Sequence, residues 1–378
     1  MPKTVYVALA ADILHVGHIN ILKKASKLGN VTVGLLTDSA INEYKKLPIL
    51  SYSKRLSVIS NLKFVHKVIK QNEMDYRPNL RKIKPDFVVH GNDWKRGILS
   101  NTRKQVIKEL KKWSGKLVEI PYTRNISSTA IKKEILESSN FQINRISLLR
   151  RLISTKKIVR VLESHSALTG IIAEETKVSS VKNIEEFDCL WSSSLTESLI
   201  RGKPDNQSVS LETRISALSE LMDVTVKPVI FDADNGGRIE HLPYTINSLE
   251  RQGVSAIVIE DKIGLKKNSL FKNQSNAQQD SIKNFCKKIK TIISLRKSKD
   301  FLVVARIESF ILGKGLNDAI NRAESYSKAG ADAIVIHSKE SSPKQVFSFA
   351  KKFKKNKFFI PMIAIPSSYS KTLEKELI

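Results

Sequence analysis

The sequence predicts an α/β protein of two domains, each built on a parallel sheet. Three observations carry this. Short apolar runs alternate with helical patterns along the chain, as in successive βαβ units. The length, 378 residues, favours at least two domains. A polar stretch, "ESSNFQINR" at 137–145, separates two different rhythms and reads as a linker. The expected organisation is a first domain at 1–136, the linker at 137–145, and a second domain at 146–378.

The first series opens with the strand "TVYVALAA". The helix "HINILKKASKLG" follows, with Ile21, Leu22, Ala25 and Leu28 on one face and Gly29 as its stop. Then come the strand "VTVGLLTD", the helix "SKRLSVISNL", the short strand "HKVIKQ" and the strand "PDFVVHG". The helix "NTRKQVIKELKKWSG", the strand "KLVEIPYT" and the capped helix "SSTAIKKEIL" complete a mononucleotide-binding-sized unit.

The second series has strands at "VRVLESHS", "FDCLWSSS", "KPVIFDAD", "SAIVIEDK", "FLVVARIES", "ADAIVIHS" and "FFIPMIAIP". Almost every one ends in polar residues: Ser164/His165, Ser192 to Ser194, Asp232/Asp234, Glu260/Asp261/Lys262, Arg306/Glu308 and His337/Ser338. In a (β/α)8 barrel the C-terminal strand ends build the active site. Seven strands are legible, so the expectation is a (β/α)8-type barrel truncated after strand seven.

Composition narrows the classes. The 41% hydrophobic content suits a globular chain, and the longest apolar runs are too short to span a bilayer. The N-terminus has no signal-peptide pattern, and two cysteines make no disulfide framework. A cytoplasmic protein with no membrane partner is the default. The formal charge of +27 raises the question of nucleic acid. The lysines, however, are scattered through helical stretches such as "VIKELKKWSGK" and are not gathered into an arm. A lysine-rich background explains this without a nucleic-acid partner. Polyanionic small substrates fit it equally well.

"DILHVGHINIL" places His15, Gly17 and His18 between a strand and a helix. Helical N–H groups and the positive end of the helix dipole face outward there. Gly17 lets the backbone approach a ligand, and two imidazoles can donate to phosphate oxygens. Zinc fits less well, because a third ligand is missing nearby.

The stretch resembles the HxGH motif of the nucleotidyltransferase superfamily, and "NISSTAI" resembles its ISTT-type segment. "YKKLPILSYSKR" and "VVHGNDWK" resemble segments of the CTP-dependent branch. The likeness covers roughly 3–136. It implies a Rossmann-like nucleotidyltransferase domain, in which an anionic oxygen attacks the α-phosphate of CTP and pyrophosphate leaves. By position it implies that His15 and His18 stabilise the transferring phosphate and that Lys45, or adjacent Lys46, neutralises charge. Ser127, Ser128 and Thr129 would hold the β,γ-phosphates; His90, Gly91, Asp93 and Trp94 would lie near the nucleotide. Ala11, Tyr122 and Asn125 depart from the pattern, and Arg124 is a candidate substitute. "DYRPNL" is not general to the superfamily; Arg77 there is a candidate for bidentate pairing with an anionic acceptor.

In the second series, "FDADNGG" places Asp232 and Asp234 at a strand end, as alternate residues facing one side. "IEDK" adds Glu260. Three carboxylates at a barrel mouth, binding largely through water, suit Mg²⁺. "EDKIGLKKNSL" resembles the EDKxxxxxNS loop of phosphoenolpyruvate mutase, within the isocitrate lyase superfamily. "LWSSSL", "KPDN", "ARIES" and "AGADAIVIHS" resemble further mutase segments in order. The loop lacks the cysteine that lyases of that superfamily carry. The likeness implies transfer of a phosphoryl group from the enol oxygen of phosphoenolpyruvate to C3, with Mg²⁺ on Asp232, Asp234 and Glu260. It implies that Trp191, Ser193 and Leu195 bind the enolate side, and that Asp205 is a general active-site acid. Arg306 and His337 would hold the phosphoryl group, Asn268 and Ser269 would close over it, and Lys266 would be a gate residue. Ser194 stands where the mutase often has glycine.

Together the two likenesses imply a bifunctional enzyme of phosphonate biosynthesis. Its substrates would be phosphoenolpyruvate, CTP and a phosphonate, either 2-hydroxyethylphosphonate or 2-aminoethylphosphonate. Two alternatives stand beside it: a phosphonopyruvate hydrolase barrel, and a non-catalytic basic nucleic-acid-binding protein. The mutase likeness also implies a homo-oligomer through the barrel. The family continues past the point matching Ile378, so the expectation is a chain short of one βα unit and a terminal helix.

Overall fold

The structure is a computed structural model that describes residues 2–43, 47–95, 99–121, 142–179, 184–264, 266–269 and 277–378. Lys45, Lys46, Tyr122, Arg124, Asn125, Ser127, Ser128 and Thr129 lie outside the described residues, as does the side chain of Asp93. The chain divides into two compact units, 1–140 with 177–185, and 141–176 with 186–378. The division falls inside the expected linker. A helix begins at Gln142, so the last four residues of that linker are helical.

The first unit is a five-stranded parallel sheet. Its strands are β1 (Thr4–Leu9), β2 (Asn30–Leu36), β3 (Lys67–Gln71), β4 (Phe87–Gly91) and β5 (Lys116–Ile120), in the order β3-β2-β1-β4-β5. The order reverses direction between β1 and β4, the place where sheets of this kind bind ligands at the carboxyl ends of their strands. The helices are α1 (Val16–Ser26), α2 (Asp38–Asn42), α3 (Tyr52–Ser60), α4 (Arg77–Ile83) and α5 (Ser100–Leu110). The sequence pattern marks no helix at α2 or α4. Gly29 turns the chain from α1 into β2 at φ +154, where a Cβ would lie 2.0 Å from the Lys3 carbonyl oxygen.

The second unit is a curled, seven-stranded parallel sheet. In chain order its strands are Val161–Glu163, Cys189–Ser192, Val229–Asp232, Ala256–Glu260, Leu302–Ile307, Ala333–Ile336 and Met362–Ala364. They neighbour one another in that order, so the first and seventh strands form the sheet's two ends. Each falls within a segment that the sequence marks as a strand.

Strand alternation sorts the side chains. Val229, Phe231, Ile257, Ile259, Val303, Ala305, Ile334 and Ile336 pack outward against the helices. Cys189, Ile230, Ala256, Val258, Leu302, Val304, Ala333 and Val335 fill the interior, together with Leu149 of helix Gln142–Thr155. The interior parity continues past these residues to Glu163, Trp191, Asp232, Glu260, Arg306 and His337. The same alternation that makes the core therefore aims six polar or aromatic side chains at the interior of the sheet's carboxyl end.

Candidate functional site

A cavity of about 330 Å³ opens at that end. Trp191, Ser193, Leu195, Asp205, Asp232, Lys266, Asn268, Ser269, Arg306 and His337 all line it. Ten residues expected from the sequence thus meet in one place, drawn from elements spread over most of the unit. Asp234 and Glu260 are buried and reach the lining through Lys266 and Arg306.

Lys266 is the hub of one half. Its ammonium donates to Asp205 Oδ1 at 2.7 Å, to Ser194 Oγ at 2.5 Å, and to Asp234. Ser194 Oγ in turn donates to Asp232 Oδ2 at 3.2 Å. Asn268 Nδ2 donates to the other Asp205 oxygen at 3.1 Å. Burial works against the charge on Lys266, but Asp234, Asp232, Glu260 and Asp205 outweigh it and raise its pKa. Burial would likewise raise Asp232, yet Lys266, Arg306 and Arg214 hold it below the usual carboxylate range.

Asp234 corrects one expectation. The third strand ends at Asp232, so Asp234 is not its alternate residue but part of the turn that follows, at φ +53. Three contacts set this turn: Asp234 N donates to Asp232 Oδ1, Glu260 N donates to the Asp234 carbonyl, and Arg214 Nη1 pairs with Asp234 Oδ2.

Arg306 is the hub of the other half. Its Nε lies 2.6 Å from Glu308 Oε1 and 3.7 Å from Glu260 Oε2, and its Nη2 donates to Ser269 Oγ at 2.9 Å. Lys262 pairs with Glu308 from the other side at 3.4 Å. Burial pushes Glu260 up to about 7, and the charge of Glu308 adds to that. Glu308 itself drops to about 2, because Arg306 and Lys262 outweigh its burial. His337 is held neutral, at about 4, by burial and by the Arg306 charge. Its Nδ1 is buried without a hydrogen-bond partner among the described residues.

The sequence reading missed Glu163, Thr196 and the bridging role of the Ser194 hydroxyl. Glu163 and Thr196 line the cavity, and Glu163 accepts from Thr196 Oγ1 and pairs with His165 at 3.2 Å. Interior parity from Val161 was the available signal for Glu163. Nothing local marks Thr196, which arrives on the short helix Ser194–Leu199.

In the first unit, His15 caps α1. The helix begins at Val16, two residues before the sequence pattern puts it, so Gly17 and His18 sit in its first turn. Gly17 N donates to His15 Nδ1 at 3.1 Å, and His15 N reaches His18 Nδ1 at 3.4 Å. An imidazole that accepts at Nδ1 carries its proton on Nε2. Both rings are thus set as neutral donors, 4.0 Å apart. Burial also lowers the His15 pKa, which favours the neutral ring.

His90 and Gly91 end β4, the strand beside β1. Trp94, expected near a nucleotide, is fully buried; it stacks on His90, and its Nε1 donates to Glu119 at 2.9 Å. A buried indole backs the histidine and presents no face of its own. Arg77 pairs with Asp75 at 2.6 Å, and its side chain is partly exposed.

Residues 149–376 match the family described as phosphoenolpyruvate phosphomutase. The chain belongs to the phosphoenolpyruvate phosphomutase family. Residues 10–134 of this family member match a second family, cytidylyltransferase-like. Both are enzyme families, an isomerase and a nucleotidyltransferase. The phosphoenolpyruvate phosphomutase of Tetrahymena pyriformis is 33% identical over 62% of this chain and 74% of its own length. A crystal structure of phosphonopyruvate hydrolase in complex with oxalate and Mg++ superposes with a TM-score of 0.54. It is 27% identical, over 62% of this chain and 76% of that one. In the first unit, FAD synthase of Thermoplasma volcanium is 40% identical over 22% of this chain and 60% of its own length.

The mutase-family site can be tested against Mg²⁺. Its donors are all carboxylate oxygens, the set a hard cation takes. Among the described residues no three His, Cys, Asp or Glu side chains converge closely enough to hold an ion directly. Glu260 is pushed up by burial and by the charge of Glu308, against the pull of Arg306, Lys262 and Lys266. The residues fit the ion. Among the described residues, no helix is long and apolar enough to cross a membrane.

Proposed function

We propose that this chain is a bifunctional enzyme of phosphonate biosynthesis. Its second unit converts phosphoenolpyruvate to phosphonopyruvate, and its first transfers CMP from CTP to a phosphonate. One observation carries the first half: Asp232, Arg306 and His337 face one cavity, with Lys266, Asn268 and Ser269 also lining it.

Arg306 and His337 bind the phosphoryl group, the latter as a neutral donor. Ser193 and Leu195 hold the enolate side, against Trp191. The C–O–P linkage breaks with its electron pair left on oxygen, giving pyruvate enolate. C3 of the enolate then attacks the phosphorus and forms the P–C bond. No proton is gained or lost. Transfer of this kind rests on positioning and on exclusion of water. Lys266, Asn268 and Ser269 supply the exclusion, tied down through Asp205 and Glu308. Asp232, Asp234 and Glu260 would hold Mg²⁺, which when bound would polarise the enolate oxygen.

In the first unit, the Nε2–H groups of His15 and His18 donate to the α-phosphate as an acceptor oxygen attacks it. The carboxyl ends of β1 and β4 take the nucleotide, with His90 and Gly91 along one side. Lys45, Ser127, Ser128, Thr129 and Asp93 complete this reading on motif position alone. Of the two acceptors, 2-hydroxyethylphosphonate is the better fit. Asp75, a candidate partner for an ammonium, is held below the usual carboxylate range by its hydrogen bonds to Arg77. Its charge is already matched.

Two incubations test the proposal. With phosphonopyruvate and Mg²⁺, the expected product is phosphoenolpyruvate; pyruvate and inorganic phosphate would make the barrel a hydrolase. With CTP and each phosphonate in turn, pyrophosphate release should be larger for the hydroxy compound. A large excess for the amino compound reverses that choice.

A further inference from the structure

Lys266 stands where a cation is called for. Its ammonium touches Asp205 and Asp234 directly and reaches Asp232 through the Ser194 hydroxyl. Two of these acids, Asp232 and Asp234, are the ones assigned above to Mg²⁺. Asp232, Asp234 and Lys266 are buried, with Lys266 only 9% exposed, and the Asp205 side chain is 7% exposed, so water screens the cluster weakly. A buried carboxylate needs a counter-charge, and this arrangement supplies one from the chain itself.

We propose that Lys266 is an internal counter-cation that must leave its acids before Mg²⁺ can bind them. This rests on the assignment of Asp232 and Asp234 to the metal. An ammonium and a divalent ion cannot occupy the same carboxylate oxygens. Mg²⁺ binding therefore releases Lys266 from Asp234 and loosens its tie through Ser194. The apparent metal affinity is lowered by the fraction of molecules in which the lysine holds the acids. The exchange also couples two events. A Lys266 displaced by metal becomes available to the cavity it lines, so metal binding arms the cation that faces the substrate. Ser194 is a positioning residue in this scheme: its hydroxyl accepts from Lys266 and donates to Asp232, linking the lysine to the metal acid.

Calorimetric titration of Mg²⁺ alone, without substrate, tests this on the full chain. Lys266→Met should bind Mg²⁺ about tenfold more tightly than the wild type, a difference of about 1.4 kcal/mol. Its melting temperature should start lower and rise more steeply with added Mg²⁺. Ser194→Ala keeps the charge and loses one tether, so its gain should be smaller, about threefold; it stands in if Lys266→Met does not fold. If wild type binds Mg²⁺ and neither variant binds it more tightly, the exchange is wrong and the metal site stands. If wild type, Lys266→Met and Ser194→Ala all fail to bind Mg²⁺, the metal assignment itself falls, and the exchange with it.

Discussion

The imidazole of His90 lies flat on the indole of Trp94, with 3.9 Å between ring centroids and 5° between their planes. The indole N–H is anchored on Glu119, which also takes Nε and Nη2 of Arg103. A fully buried indole, tied to partly exposed Glu119 and Arg103, thus backs a half-buried histidine at the end of β4.

Trp94→Phe keeps an aromatic platform and loses one hydrogen bond, so it should cost about 1 kcal/mol of stability. Trp94→Ala removes the platform and should cost about 3–5 kcal/mol. CTP affinity should fall more for the alanine variant, even at temperatures where it stays folded. Equal CTP affinity in both would separate His90 from the nucleotide.

His18→Ala should lower pyrophosphate release by about 100-fold or more, the usual result of deleting one donor to a transition-state oxyanion. Turnover of phosphonopyruvate by the same preparation should be unchanged, because the two sites share no residue. Loss of both activities in a folded variant would contradict the division of labour.

Asp232→Asn should abolish turnover of phosphonopyruvate and leave CMP transfer by the first unit intact. Chelation with EDTA should mimic it in the second-unit assay, and Mg²⁺ should restore the wild type alone. A variant with wild-type rate would remove Asp232 from the metal.

His337 predicts a pH dependence of stability. In the fold its ring resists protonation down to about pH 4, against an ordinary value of 6.5. Between those values the unfolded chain takes up a proton that the folded chain refuses. This contribution is therefore full above pH 6.5 and is lost as the pH falls towards 4. It amounts to about 3 kcal/mol. His337→Asn should flatten that part of the profile. Denaturant midpoints at pH 7 and pH 4.5 check it: the gap between them should narrow in the variant.

The cavity residues at the strand ends were legible because a period of two sets which face each strand side chain takes. Once Ile230, Val258 and Val304 face inward, Asp232, Glu260 and Arg306 must follow them. Asp234 escaped that logic. Its turn is set by long-range contacts from Arg214 and Glu260, which no local pattern contains. Trp94 escaped for a related reason: motif spacing places it near the nucleotide, but only the tertiary partner Glu119 shows that its polar edge is satisfied inside. The pairing of Arg77 with Asp75 was within reach, since the residues are two apart, yet each looked suited to a different ligand. Glu163 was one position from a cluster already marked and was lost by reading the strand end without its parity.

The cavity takes residues from both ends of the curled sheet, Val161 and Glu163 at one edge and Ile363 and Ala364 at the other. No subset of adjacent strands contains it. Contacts this distant in sequence form late, after local helices and central strand pairs. A refolding chain should therefore recover its helical signal well before it can turn over a single substrate molecule. In this unit, returning activity is a clock for the closing of the sheet.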